Sequence, residues 1–416
     1  MTFKRFYTLL GPGLLYGAAA IGVSHLVQST RAGADFGFEL MWILLAANIL
    51  KYPFFEFGGR YVMATGDNLI KGYYDTGKWA ILLLVIFTLI TMFPIQAALT
   101  IVTAGLASNL FNSVLSPLSM SAVIMTLTLL ILIIGRFKAL DLIIKVVIVL
   151  LSLTTIAAVI LAVISGTSGE TGFMGSFDIT NKTHLYFLIA FIGWMPAPID
   201  LAVWSSLWNQ AKNKHMKIKP TLNEVLFEFR IGFFGTMLVA ACFLTLGALV
   251  MHGSGESLSP SGSIFADQLI RMYTSNIGSW AYPIIAIAAL TTMLSTTFTV
   301  TDAYPRVLRT ITQLLIPYAK SKGDRLPYII WILILSLGGL YLIYLAGHSM
   351  RFMVDLATSL SFITAPVLAY INFRIITSKK VPVQFQPGTF MRMWSWTGII
   401  FLSIFTLVYL YWLIIA

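Results

Sequence analysis

The chain alternates long apolar runs with short polar connections, and the runs have the length needed to cross a membrane. A helix requires about 20 consecutive apolar residues to span the hydrocarbon of a bilayer. Eleven such runs can be placed, centred near residues 21, 50, 95, 125, 152, 196, 240, 290, 337, 363 and 404. None alternates as an outer-membrane strand would. Backbone in lipid must satisfy its own hydrogen bonds, so the expected fold class is an all-α polytopic membrane protein with eleven transmembrane helices. Two runs are interrupted near their middles. "GAAAIGVSHLVQS" (Gly17 to Ser29) places Gly22, Ser24, His25 and Gln28 where an unbroken helix should be apolar. "FIGWMPAPIDLAVW" (Phe191 to Trp204) carries two prolines, each of which removes a backbone donor and clashes with the preceding turn, so unwinding is expected over 192–197 with a restart near Ala197 to Ile199. The breaks lie five spans apart, as in an inverted five-plus-five repeat whose discontinuous helices build a site at the bilayer midplane. A single transmembrane domain is expected, with repeats over about 9–165 and 184–374 and an extra helix at about 390–415.

Composition agrees and narrows the picture. A chain that is 58% hydrophobic and 10% charged, with mean hydropathy +0.86, cannot cover a core of its size with polar surface. In a soluble protein the net charge of +11 would suggest nucleic acid, but in a membrane protein the placement of Lys and Arg carries the information. With the N-terminus inside, the basic residues of 4–5, 60–78, 136–138, 212–219, 306–325 and 374–392 fall on one side. Lys182, Arg271 and Arg351 fall on the other. The expected localisation is the inner (plasma) membrane, multi-pass, with the N-terminus cytoplasmic, the C-terminus outside and no nucleic-acid partner. The run after Lys4 and Arg5 lacks a small-residue cleavage site and is not read as a signal peptide. The single cysteine, Cys242, excludes a disulfide framework and a cysteine metal cluster. The polar stretches, 166–183 and 253–275 outside and 209–225 and 306–326 inside, are too short for a separate domain, so the work is done within the bilayer. Glu224, Glu228 and Arg230 are assigned to the cytoplasmic end of the seventh span.

"GPGLLYGAAAIGVSHLVQSTRAGADFGFELMWILLAANIL" (Gly11 to Leu50) resembles the first two spans of the Nramp divalent-metal transporters, which continue from Gly-Pro through a broken Asp-Pro-Gly-Asn to a second span ending in Ala-Asn-Leu. "WMPAP" (Trp194 to Pro198) resembles that family's Met-Pro-His signature. The resemblance implies a LeuT-type fold and a divergent branch, because the departures fall on the metal chemistry. Gly22-Val23-Ser24-His25 stands at Asp-Pro-Gly-Asn, so Gly22 takes the place of the metal-binding aspartate. Ala197 takes the place of the histidine, and Ala97 and Thr100 stand where the family has acidic residues on its proton path.

Hard divalent cations exchange their water only for oxygen ligands, preferably carboxylates, whereas transition metals also accept imidazole and thioether. The two central segments offer His25 and Met195 and no carboxylate. Asp200 lies five residues past Met195, more than a helical turn, and is expected to face away. What the breaks supply is a pair of helix N-termini near His25 and Ala197, each with about half a positive charge. With Ser24, His25 and Gln28 these suit a small oxyanion, bicarbonate first, then nitrate or formate. The expected substrate-binding set is Gly22, Val23, Ser24, His25, Gln28, Met195, Pro196 and Ala197. Accumulating an anion against a negative-inside potential costs about 2.3 kcal/mol per charge per 100 mV. That requires a coupling cation: Na⁺ on Thr292, Ser295, Thr296 and Thr299 of the eighth span, or H⁺ through His25. The alternative is an H⁺-coupled transporter of Mn²⁺, Fe²⁺ or Mg²⁺ with an altered site. A channel or a non-transporting receptor on the same scaffold stays open.

Enzymatic chemistry is disfavoured, because His184, His215, His252 and His348 sit at span ends and no catalytic arrangement or cofactor motif is evident. Arg31 is expected to anchor to headgroups at the outer mouth. Asp302, Asp141 with Lys145, and Lys51 with Glu56 are expected to form ion pairs or interfacial charges near helix ends.

Overall fold

The computed structural model describes residues 12–134, 137–165, 177–215, 220–254, 257–316, 323–347 and 349–415. The basic residues at 4–5, 136, 217, 219, 320 and 322, His348, and the side chains of His215, Lys138, Asp141 and Lys145 lie outside the described residues or side chains.

Among the described residues every regular element is helical. The first span enters as α1 (Pro12–Ala20), bends at Ile21 and Gly22, widens into a π-helical turn over Ser24–Ser29 and ends as α2 (Thr30–Phe36). Then follow α3 (Met41–Thr65), the short α4 (Leu69–Thr76), α5 (Lys78–Leu110), α6 (Pro117–Ile134) and α7 (Phe137–Ser165). The sixth run is split into α8 (Lys182–Trp194) and α9 (Leu201–His215). The remainder is α10 (Leu222–Leu246) with a π-helical extension over Gly247–Met251, α11 (Gly262–Ile277), α12 (Tyr282–Leu315), α13 (Arg325–Leu345), α14 (Met350–Ile376) and α15 (Thr389–Ile415).

The boundaries follow local chemistry. α3 stops where Gly66 takes φ +77, a left-handed conformation that glycine adopts without a Cβ penalty. α8 starts where the Asn181 side chain accepts from the N–H groups of Thr183 and His184, and α10 starts at a reciprocal cap between Thr221 and Glu224.

Among the described residues, seven helical segments are long and apolar enough to cross a membrane. Of the other expected spans, the first and sixth are broken, the second carries Lys51, Glu56 and Arg60, and the fifth is described as a helix with only part of its side chains. The second break differs from the expectation of unwinding over 192–197. α8 stays helical through Trp194, the non-helical stretch is 195–200, and helix resumes only at Leu201. The cause is Pro198: it bars helix at the residue before it, and the restart then comes three residues later.

The bundle is centred on α5, which packs against α12, α13 and α14, while α1 lies on α10 and α8 on α14. Lipid gives no hydrophobic drive between helices, so close backbone approach matters. A Cβ at Gly193 would stand 2.3 Å from the Thr358 carbonyl oxygen, and one at Gly33 2.0 Å from that of Leu244. These glycines let α8 and α2 meet α14 and α10 backbone to backbone.

Candidate functional site

The two breaks face each other in the middle of the bundle. At the first, the Gly22 carbonyl accepts from the N–H groups of both His25 and Leu26, at 3.0 and 2.9 Å, as the chain turns into the wide helix. Such wide turns interrupt regular helices chiefly at functional places. The Ser24 hydroxyl reaches His25 Nδ1 at 2.8 Å, the Ala20 carbonyl at 3.0 Å and, across the gap, the Pro196 carbonyl at 3.4 Å. His25 Nε2 donates to the Thr236 carbonyl of α10 at 3.0 Å. Both ring nitrogens of this fully buried imidazole are therefore engaged, and coordinating a metal would break one of those bonds.

At the second break Met195 is extended and the Met195–Pro196 peptide is cis. Two carbonyls at the end of α8 accept from a residue expected elsewhere. Lys51, fully buried on α3, donates from Nζ to the carbonyls of Ile192 at 2.5 Å and Gly193 at 2.9 Å. It makes no ion pair with Glu56, contrary to expectation. Glu56 binds Arg60 at 2.5 Å and Arg230 at 3.7 Å and accepts from the Tyr52 hydroxyl. No carboxylate lies within 4.0 Å of the Lys51 ammonium among the described residues.

A cavity of about 30 Å³, room for a water or two, lies between the breaks. Gly22, Val23, Ser24 and Ala197 line it together with Trp194, Thr296 and apolar neighbours from α5 and α9. The other members of the expected set stand back from it. His25 is turned to α10, and Pro196 offers only its carbonyl. Met195 meets the Ser29 hydroxyl at 3.9 Å. Gln28 is not at the site but in a partly buried group beyond it, where it accepts from Arg31 at 3.1 Å and donates to Asp355 at 3.4 Å. Arg31 pairs with Asp355 at 2.9 Å and lies over the Phe187 ring at 4.8 Å. Being 5% exposed, it is not a headgroup anchor. The expected convergence of two helix N-termini is also corrected. The first restart is the π-helical turn at Ser24, and the second comes at Leu201 rather than Ala197.

Of the four hydroxyl residues assigned to a coupling cation, Thr296 alone crosses to the first break. Its Oγ1 stands 3.1 Å from the Ala18 carbonyl, 2.9 Å from Ile21 and 3.2 Å from Thr292. One hydroxyl proton can serve one of these three acceptors. Thr292 and Thr299 bond back to the carbonyls of Ala288 and Ser295, both at 2.8 Å, and the Ser295 hydroxyl is buried without a partner. Thr296 also occupies the room an aspartate would need: a Cβ on Gly22 would lie 2.9 Å from its Cγ2 and 3.0 Å from its Oγ1.

Asp200, expected to face away, is held in the bundle, because the chain is not helical where the turn count was applied. Its Oδ2 lies 3.2 Å from the Thr91 hydroxyl and 3.3 Å from that of Tyr304. Thr100 bonds back to the Gln96 carbonyl at 2.7 Å, and Ala97 is buried in α5. Asp302 does pair with Arg306, at 2.6 Å, and accepts from Tyr328 at 2.7 Å. At the start of α10, Glu228 accepts from the Gly13 N–H at 3.2 Å and faces Lys212 at 3.8 Å. His184 opens α8, and His252 follows the π-helical end of α10 and donates to the Ala34 carbonyl at 3.0 Å. Among the described residues no three His, Cys, Asp or Glu side chains come together as a metal site would require.

Comparison with known proteins places this geometry. An uncharacterized protein of Pasteurella multocida is 33% identical, over 98% of this chain and 93% of its own length. The divalent metal cation transporter MntH of Lacticaseibacillus casei is 24% identical over 95% of this chain and 87% of its own. Among solved structures, a variant of the manganese transporter from Eremococcus coleocola superposes with TM-score 0.72 at 16% identity, covering 98% of this chain and 86% of that one. MhsT in complex with L-phenylalanine superposes with TM-score 0.64, also at 16% identity, covering 96% and 97%. The likeness to these structures is one of fold, a LeuT-like one. The profile of the natural resistance-associated macrophage protein-like family matches residues 13–412, and the chain is a membrane transporter of the Nramp family.

Proposed function

We propose that this chain is a secondary transporter of a small monovalent anion, with bicarbonate the leading candidate, driven by co-transported Na⁺. The observation that carries the reading is Lys51. Its ammonium caps the carbonyl end of α8, and no carboxylate pairs with it among the described residues, so the centre is biased toward negative solutes. Isolated buried cations are retained in membrane proteins where function uses them. Gly22 supports the same reading, since the position lacks both an acidic side chain and the space for one. For the coupling ion the support is Thr296, whose hydroxyl meets three carbonyls with a single proton; a Na⁺ among those oxygens would satisfy the rest.

In this reading the four remaining segments complete eleven spans, the basic face is cytoplasmic with the N-terminus inside and the C-terminus outside, and the protein works in the plasma membrane. The two halves, about 9–165 and 184–374, form the inverted repeat, with the helix at about 390–415 added.

A second reading is divalent-cation transport with H⁺ coupling, and for the cation it is favoured by the similarity to the divalent metal cation transporter MntH and to the manganese transporter. On that side the comparisons speak for the cation more directly than for the anion. Titration calorimetry of the purified protein with Mn²⁺ and Mg²⁺ separates the two. The anion reading expects no binding heat; micromolar binding that disappears in His25→Ala would overturn it.

A further inference from the structure

Asp200 sits in the turn that joins the two halves of the broken sixth span, 6% exposed, and the residues facing it carry no charge. From α5 comes Thr91, from α12 Tyr304 and from α9 Trp204, which packs edge-on against Tyr304 at 4.9 Å between ring centres. From α4 comes Tyr73, whose hydroxyl is committed to Asn372 Oδ1 at 2.8 Å. Asp200 makes no ion pair among the described residues, whereas Asp302, Asp355, Glu56 and Glu228 each have a basic partner.

The hydroxyl protons around it favour the neutral acid. Thr91 Oγ1 has one proton, and the best acceptor for it is the Phe87 carbonyl of its own helix at 2.8 Å. Toward Asp200, at 3.2 Å, Thr91 then presents a lone pair. An ionised carboxylate would face that lone pair and keep as donors the Tyr304 hydroxyl, at 3.3 Å, and its own backbone N–H. A neutral carboxylic acid donates to Thr91 and accepts from Tyr304, so both hydroxyls keep a complementary partner. Burial away from any cation favours the neutral form of a carboxyl group.

We propose that Asp200 is a proton-binding site of the transport cycle, neutral while the turn between α8 and α9 is docked against α5 and α12, and ionised when that turn swings toward water. The step balances simply: the carboxylic O–H bond breaks, the electron pair stays on Asp200, and the proton passes to water at the exposed face, to be taken up again on docking. Pro198 and Leu201, on either side of Asp200, line the central cavity, so a movement of this turn changes the cavity and the acid together. The inference rests on the transporter reading for its role in a cycle, while the protonation itself stands independently.

Infrared difference spectroscopy on the purified protein, wild type against Asp200→Asn, reads that protonation directly. The expected result is a carbonyl-stretch band of a buried neutral carboxylic acid at neutral pH, present in wild type and missing in the variant. No such band, or a band unchanged in Asp200→Asn, overturns the proposal. In proteoliposomes with equal pH on both sides, counterflow of labelled bicarbonate is then followed from mildly acid to mildly alkaline buffer. A pH dependence of about threefold or more in wild type that is flat in Asp200→Asn supports the role in the cycle, and identical profiles in the two proteins overturn it. Absence of bicarbonate counterflow in both proteins, with the infrared band present, refutes the bicarbonate reading and leaves the protonated acid standing.

Discussion

Removing the Lys51 ammonium is the sharpest perturbation of the centre. In Lys51→Met the side chain keeps its length and apolar stem, but two carbonyls, Ile192 and Gly193, lose a charged donor. Hydrogen bonds from a charged group contribute about 1.5–3 kcal/mol each, set against the desolvation of an ammonium that no carboxylate offsets, so the net effect on folding is small. Anion binding has no such compensation. For an anion seated about 8 Å from a unit charge in an effective dielectric near 20, the attraction is worth about 2 kcal/mol, and losing it lowers affinity about 30-fold. Lys51→Gln retains a donor for one carbonyl and removes the charge, so it separates electrostatics from hydrogen bonding. The assay is the concentration dependence of labelled bicarbonate uptake by proteoliposomes. Both variants are expected to raise the half-saturating concentration by about the same factor. If either transports with the wild-type concentration dependence, Lys51 is a structural cap and the electropositive centre is refuted.

Three further outcomes are expected. Gly22→Ala forces a Cβ to within 2.9 Å of Thr296, and overpacking of this kind costs about 1–3 kcal/mol; its melting temperature in detergent should fall, and Gly22→Ala with Thr296→Ala should recover part of the loss, a non-additivity that independent sites would not show. Thr296→Val keeps the shape and deletes the oxygen shared by the Ala18 and Ile21 carbonyls, so the Na⁺ concentration giving half-maximal uptake should rise by about tenfold, and an unchanged Na⁺ dependence would move the cation elsewhere. At the basic face, burial works to raise the Asp75 carboxyl, but Lys71 and Lys380 outweigh it and hold it below its ordinary value. Its stabilising pairing is therefore present above the unfolded pKa and lost as pH falls through the lower folded value. Asp75→Asn should lower stability by up to about 1 kcal/mol at neutral pH and have no effect in acid, as read by thermal unfolding at the two conditions.

Helical runs, the two breaks and the family were legible in the sequence because each is a local signal: apolar length, and Gly or Pro in a span. The side chains of the centre were less so. Lys51 was assigned to Glu56, yet residues five apart lie about 140° apart around a helix and cannot pair well, whereas Glu56 and Arg60, four apart, do. That spacing was a readable clue, and it left Lys51 pointing into the bundle. Asp200 was judged by a helical turn count across a segment that is not helical until Leu201, so its direction could not be computed from spacing. Arg31 and Gln28 look interfacial and central in a linear reading; they form one group with Asp355, whose partnership spans more than 300 residues of chain and leaves no local trace. Thr296 was one of four equivalent hydroxyls until the bend at Gly22 brought the Ala18 and Ile21 carbonyls to it.

The most direct test of the electropositive centre is uptake of labelled bicarbonate into proteoliposomes under an inward Na⁺ gradient. Accumulation above protein-free liposomes that vanishes when the gradient is collapsed is the predicted result. Uptake no greater than in protein-free liposomes, with radiolabelled manganese accumulating in the same vesicles, would contradict it.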